Sequence, residues 1–307
     1  MDDLKKVVVF IPAFNEEENI GAIIERVREI YPESRTGPQG YIMEILVVDD
    51  GSLDDTEKIA RSYGVEVIAH PKNKGLGAAT RTAMDNAFSM GADVAVKLDA
   101  DFQHGPEDIK KVISPILSNK ADICWGSRFK GRIQYKMPLI RLWGNKFFTW
   151  LMNQLTDYKI SDAQTGLMAF NRHYLSMFEM HGNYNPPQQL LIDANFKNMR
   201  YIEEPVTFHP RKAGKSFVTY RYPFHVISNI LRAVIFGNPL KVFCMIGLGF
   251  ILFSIFYGGV SVLALKFHWP IMSWFIPYLS LATIILGVQS VFFGILADLI
   301  IRKRNQR

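Results

Sequence analysis

Short continuous apolar runs alternate with longer amphipathic stretches over residues 5–128, and that alternation predicts an α/β domain. Strands are expected over 7–11, 45–48, 65–69, 94–98 and 121–125. Between them lie helical patterns over 16–31, 54–63, 77–90 and 106–117. In the first helix Ile20, Ile23, Ile24, Val27 and Ile30 recur at helical spacing, so one face is apolar. Ser52 and Asp55 have the spacing of a capping box for the second helix, and Pro106 stands at a favoured first helical position. Strands without polar alternation, separated by helices, are buried on both faces. The fold class expected is therefore α/β, a mostly parallel, three-layer sandwich.

The pattern weakens after Arg128. Residues 138–156 mix Leu139, Ile140, Leu142, Trp143, Phe147, Phe148, Trp150 and Leu151 with Arg141 and Lys146. That stretch reads either as an interfacial helix on a membrane surface or as a core helix of the same domain. A second amphipathic, juxtamembrane helix is expected over 221–241. No charged residue occurs over 242–265 or over 271–297, and each run exceeds the ~20 residues that cross a bilayer. A two-helix transmembrane hairpin over 242–301 follows, with a basic tail over 302–307 and a domain over 1–220 before it.

Charge changes this picture by giving it an orientation. Arg232 and Lys241 precede the first span, Arg302, Lys303, Arg304 and Arg307 follow the second, and Lys266 alone marks the connecting loop. By the positive-inside rule the domain and both termini are expected in the cytoplasm, with Trp269, Trp274 and Tyr278 near the outer interface. The N-terminal MDDLKK runs straight into a strand, so no signal peptide is expected, and Cys124 and Cys244 imply no disulfide framework. The net charge of +6 is modest. Beside membrane spans, basic residues fit anionic lipid and phosphate rather than nucleic acid.

The expected strand ends carry the chemistry. Asp99 and Asp101 follow the fourth strand one residue apart, with Gln103 two further on. Open α/β sheets bind ligands outside the C-terminal ends of their strands. Two carboxylates and an amide oxygen are hard ligands suited to Mg²⁺ or Mn²⁺ shared with a substrate diphosphate, although a D-x-D can also be a simple turn. The other strand ends bear Pro12, Phe14 and Glu16, then Asp49, Asp50, Gly51 and Ser52, then Lys72, Lys74, Gly75 and Gly77. The last of these is a basic turn at a helix N-terminus that could offer N–H groups to phosphate.

The segments IPAFNEEENI, VVDDGSLDDT, NKGLGAA, LDADFQHGPEDI, GSRF, DAQTGLMAFNR and EEPVTFHPRKAGKS, in this order over residues 7–216, resemble the family-2 glycosyltransferases of the GT-A (Rossmann-like) fold. Within them the chain is similar to the dolichyl-phosphate mannose synthase group of polyprenyl-phosphate glycosyltransferases. The resemblance implies that Pro12, Phe14 and Glu16 line a nucleotide pocket in which Val48 and Asp50 read the base, and that Lys74 faces the donor. It also implies that Asp99, Ala100, Asp101 and Gln103 hold a divalent ion and the donor diphosphate. Arg128 would meet phosphate at the centre of the site, and Arg211 and Lys215 would clamp donor phosphates from a loop. An acceptor-phosphate cation is expected after Arg128, with Lys136 and Arg141 both candidates. Asp193 would be a positioning residue, and His104 would shape the metal loop. Two departures stand out: Phe217 where the family often has lysine, and Thr165 where it has serine.

The activity so implied is inverting transfer of a hexose, mannose from GDP-mannose or glucose from UDP-glucose, to dolichyl or another polyprenyl phosphate, at a prokaryotic plasma membrane. The acceptor phosphate is ionised at neutral pH, so no strong general base is needed, and no Ser–His–Asp or Cys–His arrangement argues for a covalent intermediate. Two other readings stay open: transfer to a different lipid acceptor, and a non-catalytic membrane subunit that binds nucleotide sugar. Oligomeric state is not legible in the sequence.

Overall fold

The computed structural model describes residues 4–32, 40–135, 137–180, 182–183, 186–210, 239–266 and 272–305. The chain divides into two compact units, Met1–Ala233 and Val234–Arg307.

The first unit is built on a seven-stranded sheet. Its strands are β1 (Lys5–Ala13), β2 (Tyr41–Asp49), β3 (Glu66–Ala69), β4 (Val94–Lys97), β5 (Ile123–Ile133), β6 (Met168–Asn171) and β7 (Tyr201–Phe208), in the order β3-β2-β1-β4-β6-β5-β7. Strands β1 to β4 pair in parallel, as does β5 with β7, whereas β6 runs antiparallel to both its neighbours. The expected mostly parallel sandwich is therefore present. β6 and β7 lay outside the sequence-based assignment, because each is paired through residues far away in the chain.

Helices α1 (Ile20–Ile30), α2 (Thr56–Ser62), α3 (Leu76–Ser89) and α4 (Ile109–Leu117) connect the early strands. α1 buries Ile20, Ile23, Ile24 and Val27, the stripe its spacing predicts. That stripe joins Val7, Val9 and Ile11 of β1 and Val112 and Ile113 of α4 in one core layer. On the other sheet face, Phe170 stacks on Phe10 at 6.4 Å and takes the edge of Trp125 at 5.6 Å. The expected capping box does not form. Helix α2 begins at Thr56, two residues later than expected, and Ser52 is engaged by Asp49 while Thr56 N–H bonds Asp54 at 3.0 Å.

Helix α5 (Leu139–Leu155) buries only Asn145, Phe148 and Met152. Leu139, Ile140, Trp143, Phe147 and Trp150 are exposed, between 48% and 86%. Short α6 (Arg172–Leu175) and α7 (Pro186–Phe196) complete the described part of the unit.

The second unit comprises α8 (Pro239–Lys266) and α9 (Met272–Asn305), whose stretches Val242–Val260 and Tyr278–Ile300 each have mean hydropathy 2.1 and are long enough to cross a membrane. The two helices pack antiparallel. Ser254 Oγ donates to Ser280 O at 2.6 Å and Ser290 Oγ to Phe243 O at 3.1 Å, and Gly247 and Gly287 let the backbones approach closely. Helix α9 continues to Asn305, through most of the expected tail. The expected helix over 221–241 lies outside the described residues as far as 238, as do Arg232 and Trp269.

Candidate active site

The strand order brings the C-terminal ends of β1, β2, β3 and β4 to one edge, and hydrogen bonds tie their loops together. Pro12 and Val48 are buried register partners on β1 and β2. Beyond them Asn15, at φ 52°, receives Leu53 N–H on its side-chain oxygen at 2.8 Å and donates its own N–H to Ser52 Oγ at 2.9 Å. Glu16 N–H reaches Thr56 Oγ1 at 2.9 Å, and the Glu16 carboxylate accepts Asn19 Nδ2 at 2.7 Å. Phe14 is half-buried at the lip.

Asp50 is almost fully buried and acts as a clamp. Its Oδ1 meets His70 Nδ1 at 2.7 Å and Lys74 N–H at 3.0 Å, and its Oδ2 receives Gly75 N–H at 2.7 Å. His70 reaches on to Thr82 Oγ1 at 3.0 Å. The turn before α3 therefore works differently from the sequence expectation. Its amides at Lys74 and Gly75 are spent on Asp50, and Gly77 N–H donates to Asn183 O at 2.8 Å. A Cβ on Gly75, which has φ 96°, or on Gly77 would come within 2.7 Å of Asn183 or Gly182 backbone atoms. The glycines admit the 182–183 segment, and the exposed side chains of Lys72 and Lys74 are the turn's cationic groups.

The D-A-D-F-Q loop follows β4. Phe102 has φ 59°, a left-handed conformation that a bulky residue holds only under constraint, and its side chain is anchored in the core. That bend lets Asp101 Oδ1 accept Gln103 N–H at 3.0 Å. Asp101 and Ala100 are buried and Asp99 is partly exposed. The Asp99 carboxylate pairs with Lys97, whose side chain is 1% exposed. His104 accepts Gly166 N–H on Nε2 at 3.2 Å, and burial pushes its pKa down to about 3, so the imidazole stays neutral and shapes the loop. Thr165 supplies its hydroxyl to Gly126 O at 2.6 Å.

Beyond the loop, the β5–β7 half contributes charge. Arg128 forms a bidentate pair with Asp162, Nε and Nη2 each at 2.6 Å, and both are buried. Burial alone would raise the Asp162 pKa, but the Arg128 charge and hydrogen bonds outweigh it and hold the carboxyl below its ordinary value. Glu203 anchors this turn through Ser161 N–H at 2.9 Å and Asp162 N–H at 3.1 Å. The Arg128 guanidinium lies 4.9 Å from the Phe208 ring centroid, and Arg141 stands 5.9 Å from the same ring. Arg141 also lies 3.5 Å from Gln103 Oε1 and 3.3 Å from Tyr135 OH. The fold thus brings Arg128, Arg141 and Gln103 together. Lys136, Arg211 and Lys215 lie outside the described residues. Asp193 bonds Tyr174 OH at 2.8 Å and Lys197 Nζ at 2.6 Å, away from this group, and burial raises its pKa.

His70, Lys97, Asp162, Glu203 and Phe208 escaped the sequence reading as site residues. Lys97 carried a signal, a charge inside an otherwise apolar strand, as did Asp162 inside the quoted DAQTG segment.

The comparisons agree with this architecture. The glycosyl transferase family 2 model matches residues 8–178. The chain belongs to glycosyltransferase family 2. It is 32% identical over 223 residues to the UDP-N-acetylglucosamine–dolichyl-phosphate N-acetylglucosaminyltransferase of Methanococcus voltae, covering 66% of this chain and 85% of that one. It is 31% identical over 236 residues to the dolichol-phosphate mannosyltransferase of Pyrococcus furiosus, covering 74% of this chain and 63% of that one. Among solved structures, Mycobacterium tuberculosis glucosyl-3-phosphoglycerate synthase, in complex with Mn²⁺, UDP-glucose and phosphoglyceric acid, superposes with TM-score 0.58 at 20% identity. That match covers 75% of this chain and 80% of that one, and shows a shared fold.

Proposed function

We propose that this glycosyltransferase moves a sugar from a nucleotide sugar to polyprenyl phosphate, with inversion, at the cytoplasmic face of a prokaryotic plasma membrane. The observation that carries the reading is the pair of guanidiniums, Arg128 and Arg141, sharing the Phe208 ring beside Gln103 of the D-A-D-F-Q loop. Among the described residues Arg141 has no carboxylate partner, so its charge is available to an acceptor phosphate. Arg128 is neutralised and oriented by Asp162, and acts as a fixed donor rather than as free charge. Arg211, Lys215 and Lys74 are the further cations assigned to the donor phosphates.

Asp99, Asp101 and Gln103 offer the hard oxygens that fit Mg²⁺ or Mn²⁺. Among the described residues no group of three or more His, Cys, Asp or Glu side chains comes together as a metal site. Such an ion, when bound, neutralises charge on the leaving nucleoside diphosphate. The chain's own part is placement. Pro12, Phe14, Val48 and the Asp50 clamp shape the nucleotide pocket, and Arg128 and Arg141 hold the acceptor phosphate oxygen in line with the anomeric carbon. An α-linked donor then yields a β-linked lipid-phosphate sugar.

The exposed apolar face of α5 and the two span-length helices support a membrane-bound acceptor, since each CH₂ withdrawn from lipid costs about 0.8 kcal/mol. Basic residues flanking the spans support the cytoplasmic orientation. The leading donors are GDP-mannose and UDP-glucose, and the Methanococcus relative adds UDP-N-acetylglucosamine.

The test is transfer by the full-length protein in detergent, with polyprenyl phosphate and each of those three radiolabelled donors in turn. Label entering the organic phase from one donor establishes the reaction and names the sugar. Label reaching a glycerolipid acceptor but not polyprenyl phosphate would replace the reading. Nucleotide-sugar binding without any transfer would favour a non-catalytic subunit.

A further inference from the structure

Lys97 has no role in the reading above, yet among the described residues it is the most deeply buried cation near the site. Every β4 residue is buried, and the Lys97 side chain is 1% exposed. Its ammonium pairs with Asp99 Oδ1 and lies 3.4 Å from Gly166 O. The second carboxylate oxygen is walled in by Gly166, where a Cβ would collide with Asp99 Oδ2. A buried ammonium is costly to keep, and an apolar residue would serve the strand as well. What the lysine adds is an internal counter-charge on the first carboxylate of the loop.

Arg128 pairs with Asp162, and Lys97 offsets Asp99. Asp101 adds a second carboxylate to the loop, and Arg141 stands 3.5 Å from Gln103 Oε1. A divalent cation entering alone would be under-neutralised. One arriving with a nucleoside diphosphate brings the missing negative charge.

Resting on the metal-assisted reading above, we propose that Lys97 is a positioning residue that couples cation binding to the donor. By occupying Asp99, it makes the loop hold a divalent ion weakly until a diphosphate arrives to share it. Coupling between two ligands is reciprocal, so the same lysine makes diphosphate affinity depend on the cation.

The experiment is Mn²⁺ binding, followed by electron paramagnetic resonance on the full-length protein in detergent, with and without UDP or GDP. In the wild-type protein one of the two nucleotides is expected to tighten Mn²⁺ binding. Lys97→Met is expected to bind Mn²⁺ alone about tenfold more tightly, with the tightening by nucleotide reduced by a similar factor. The effect acts through Asp99, so in an Asp99→Asn background Lys97→Met should change Mn²⁺ affinity less than about twofold. Lys97→Arg keeps the charge and should keep the coupling. Lys97→Gln is expected to behave as Lys97→Met, and carries the test if Met at this position prevents folding. Nucleotide-promoted Mn²⁺ binding that Lys97→Met and Lys97→Gln leave unchanged would overturn the role of Lys97 alone. Wild-type protein that binds no Mn²⁺ with either nucleotide would overturn the metal-assisted reading, and this inference with it.

Discussion

The two halves of the catalytic sheet hold their polar groups by different means. On the β1–β4 side, Asp50 is satisfied by His70 and by the N–H groups of Lys74 and Gly75. Those contacts fix loops that stand close together along one edge. On the β5–β7 side, Arg128 is met by a whole opposing charge, Asp162, which is held in turn by Glu203. Backbone amides make a rigid pocket at small cost. A buried ion pair is dearer, but it aims a guanidinium with two-point geometry. The contrast fits a donor pocket that must keep its shape beside an acceptor site that must keep its charge.

The largest expected effect lies in the ionic half. Asp162→Asn strands Arg128 in the interior and should lower stability by about 3–5 kcal/mol, read by denaturant unfolding of the full chain. The sign with pH follows from the lowered Asp162 pKa. The unfolded chain takes up the proton first, so this contribution is present above the ordinary carboxylate range and is lost as pH falls below about 4. The variant should lack that part of the acid sensitivity. An equal acid slope in both proteins would show that the pair is not what holds this half. Arg141→Ala leaves the fold but should lower kcat/KM for the lipid acceptor about 10–100-fold, the size of a charge-assisted hydrogen bond of about 1.5–3 kcal/mol, with donor KM little changed.

The amide-held half should answer more mildly, and in donor terms. Gly77→Ala places a Cβ 2.6 Å from Asn183 C and Gly182 O, so it should destabilise the protein by about 1–3 kcal/mol and raise donor KM. His70→Ala removes one bond to Asp50 and should cost about 1 kcal/mol, with a donor KM rise of a few-fold and acceptor KM unchanged. If His70→Ala moved acceptor KM and Arg141→Ala moved donor KM, the division between the halves would be lost.

That division also decides how much was legible in the sequence. The β1–β4 half announces itself because each strand and its polar end are contiguous, as in the apolar run that ends at Asp99 and Asp101. The D-A-D-F-Q cluster after β4, the polar residues at the other strand ends and the two span-length helices could all be read from local pattern. The β5–β7 half is assembled from contacts between distant residues, Arg128 with Asp162 across 34 positions and Asp162 with Glu203 across 41. No local period marks such a pair, and β6 and β7 were missed for the same reason. The place of Arg141 also needed the fold, which sets it against Phe208 and Gln103, while Lys136 lies outside the described residues. Local reading misled at two helix starts within the β1–β4 half, one being the Ser52–Asp55 capping box that does not form. The Lys74–Gly77 turn looks like a phosphate cradle, but its amides at 74, 75 and 77 are used by Asp50 and Asn183.

The central claim is that the arginine side of the site recognises a lipid phosphate while the D-A-D-F-Q loop works with a divalent ion. It is tested most directly by offering one radiolabelled donor with either polyprenyl phosphate or the unphosphorylated polyprenol, with and without EDTA, to wild-type and Asp101→Asn protein. The account predicts transfer to the phosphate alone, abolished by EDTA and reduced about 10²–10³-fold in Asp101→Asn. Equal transfer to the polyprenol, or transfer that survives both EDTA and Asp101→Asn, would contradict it.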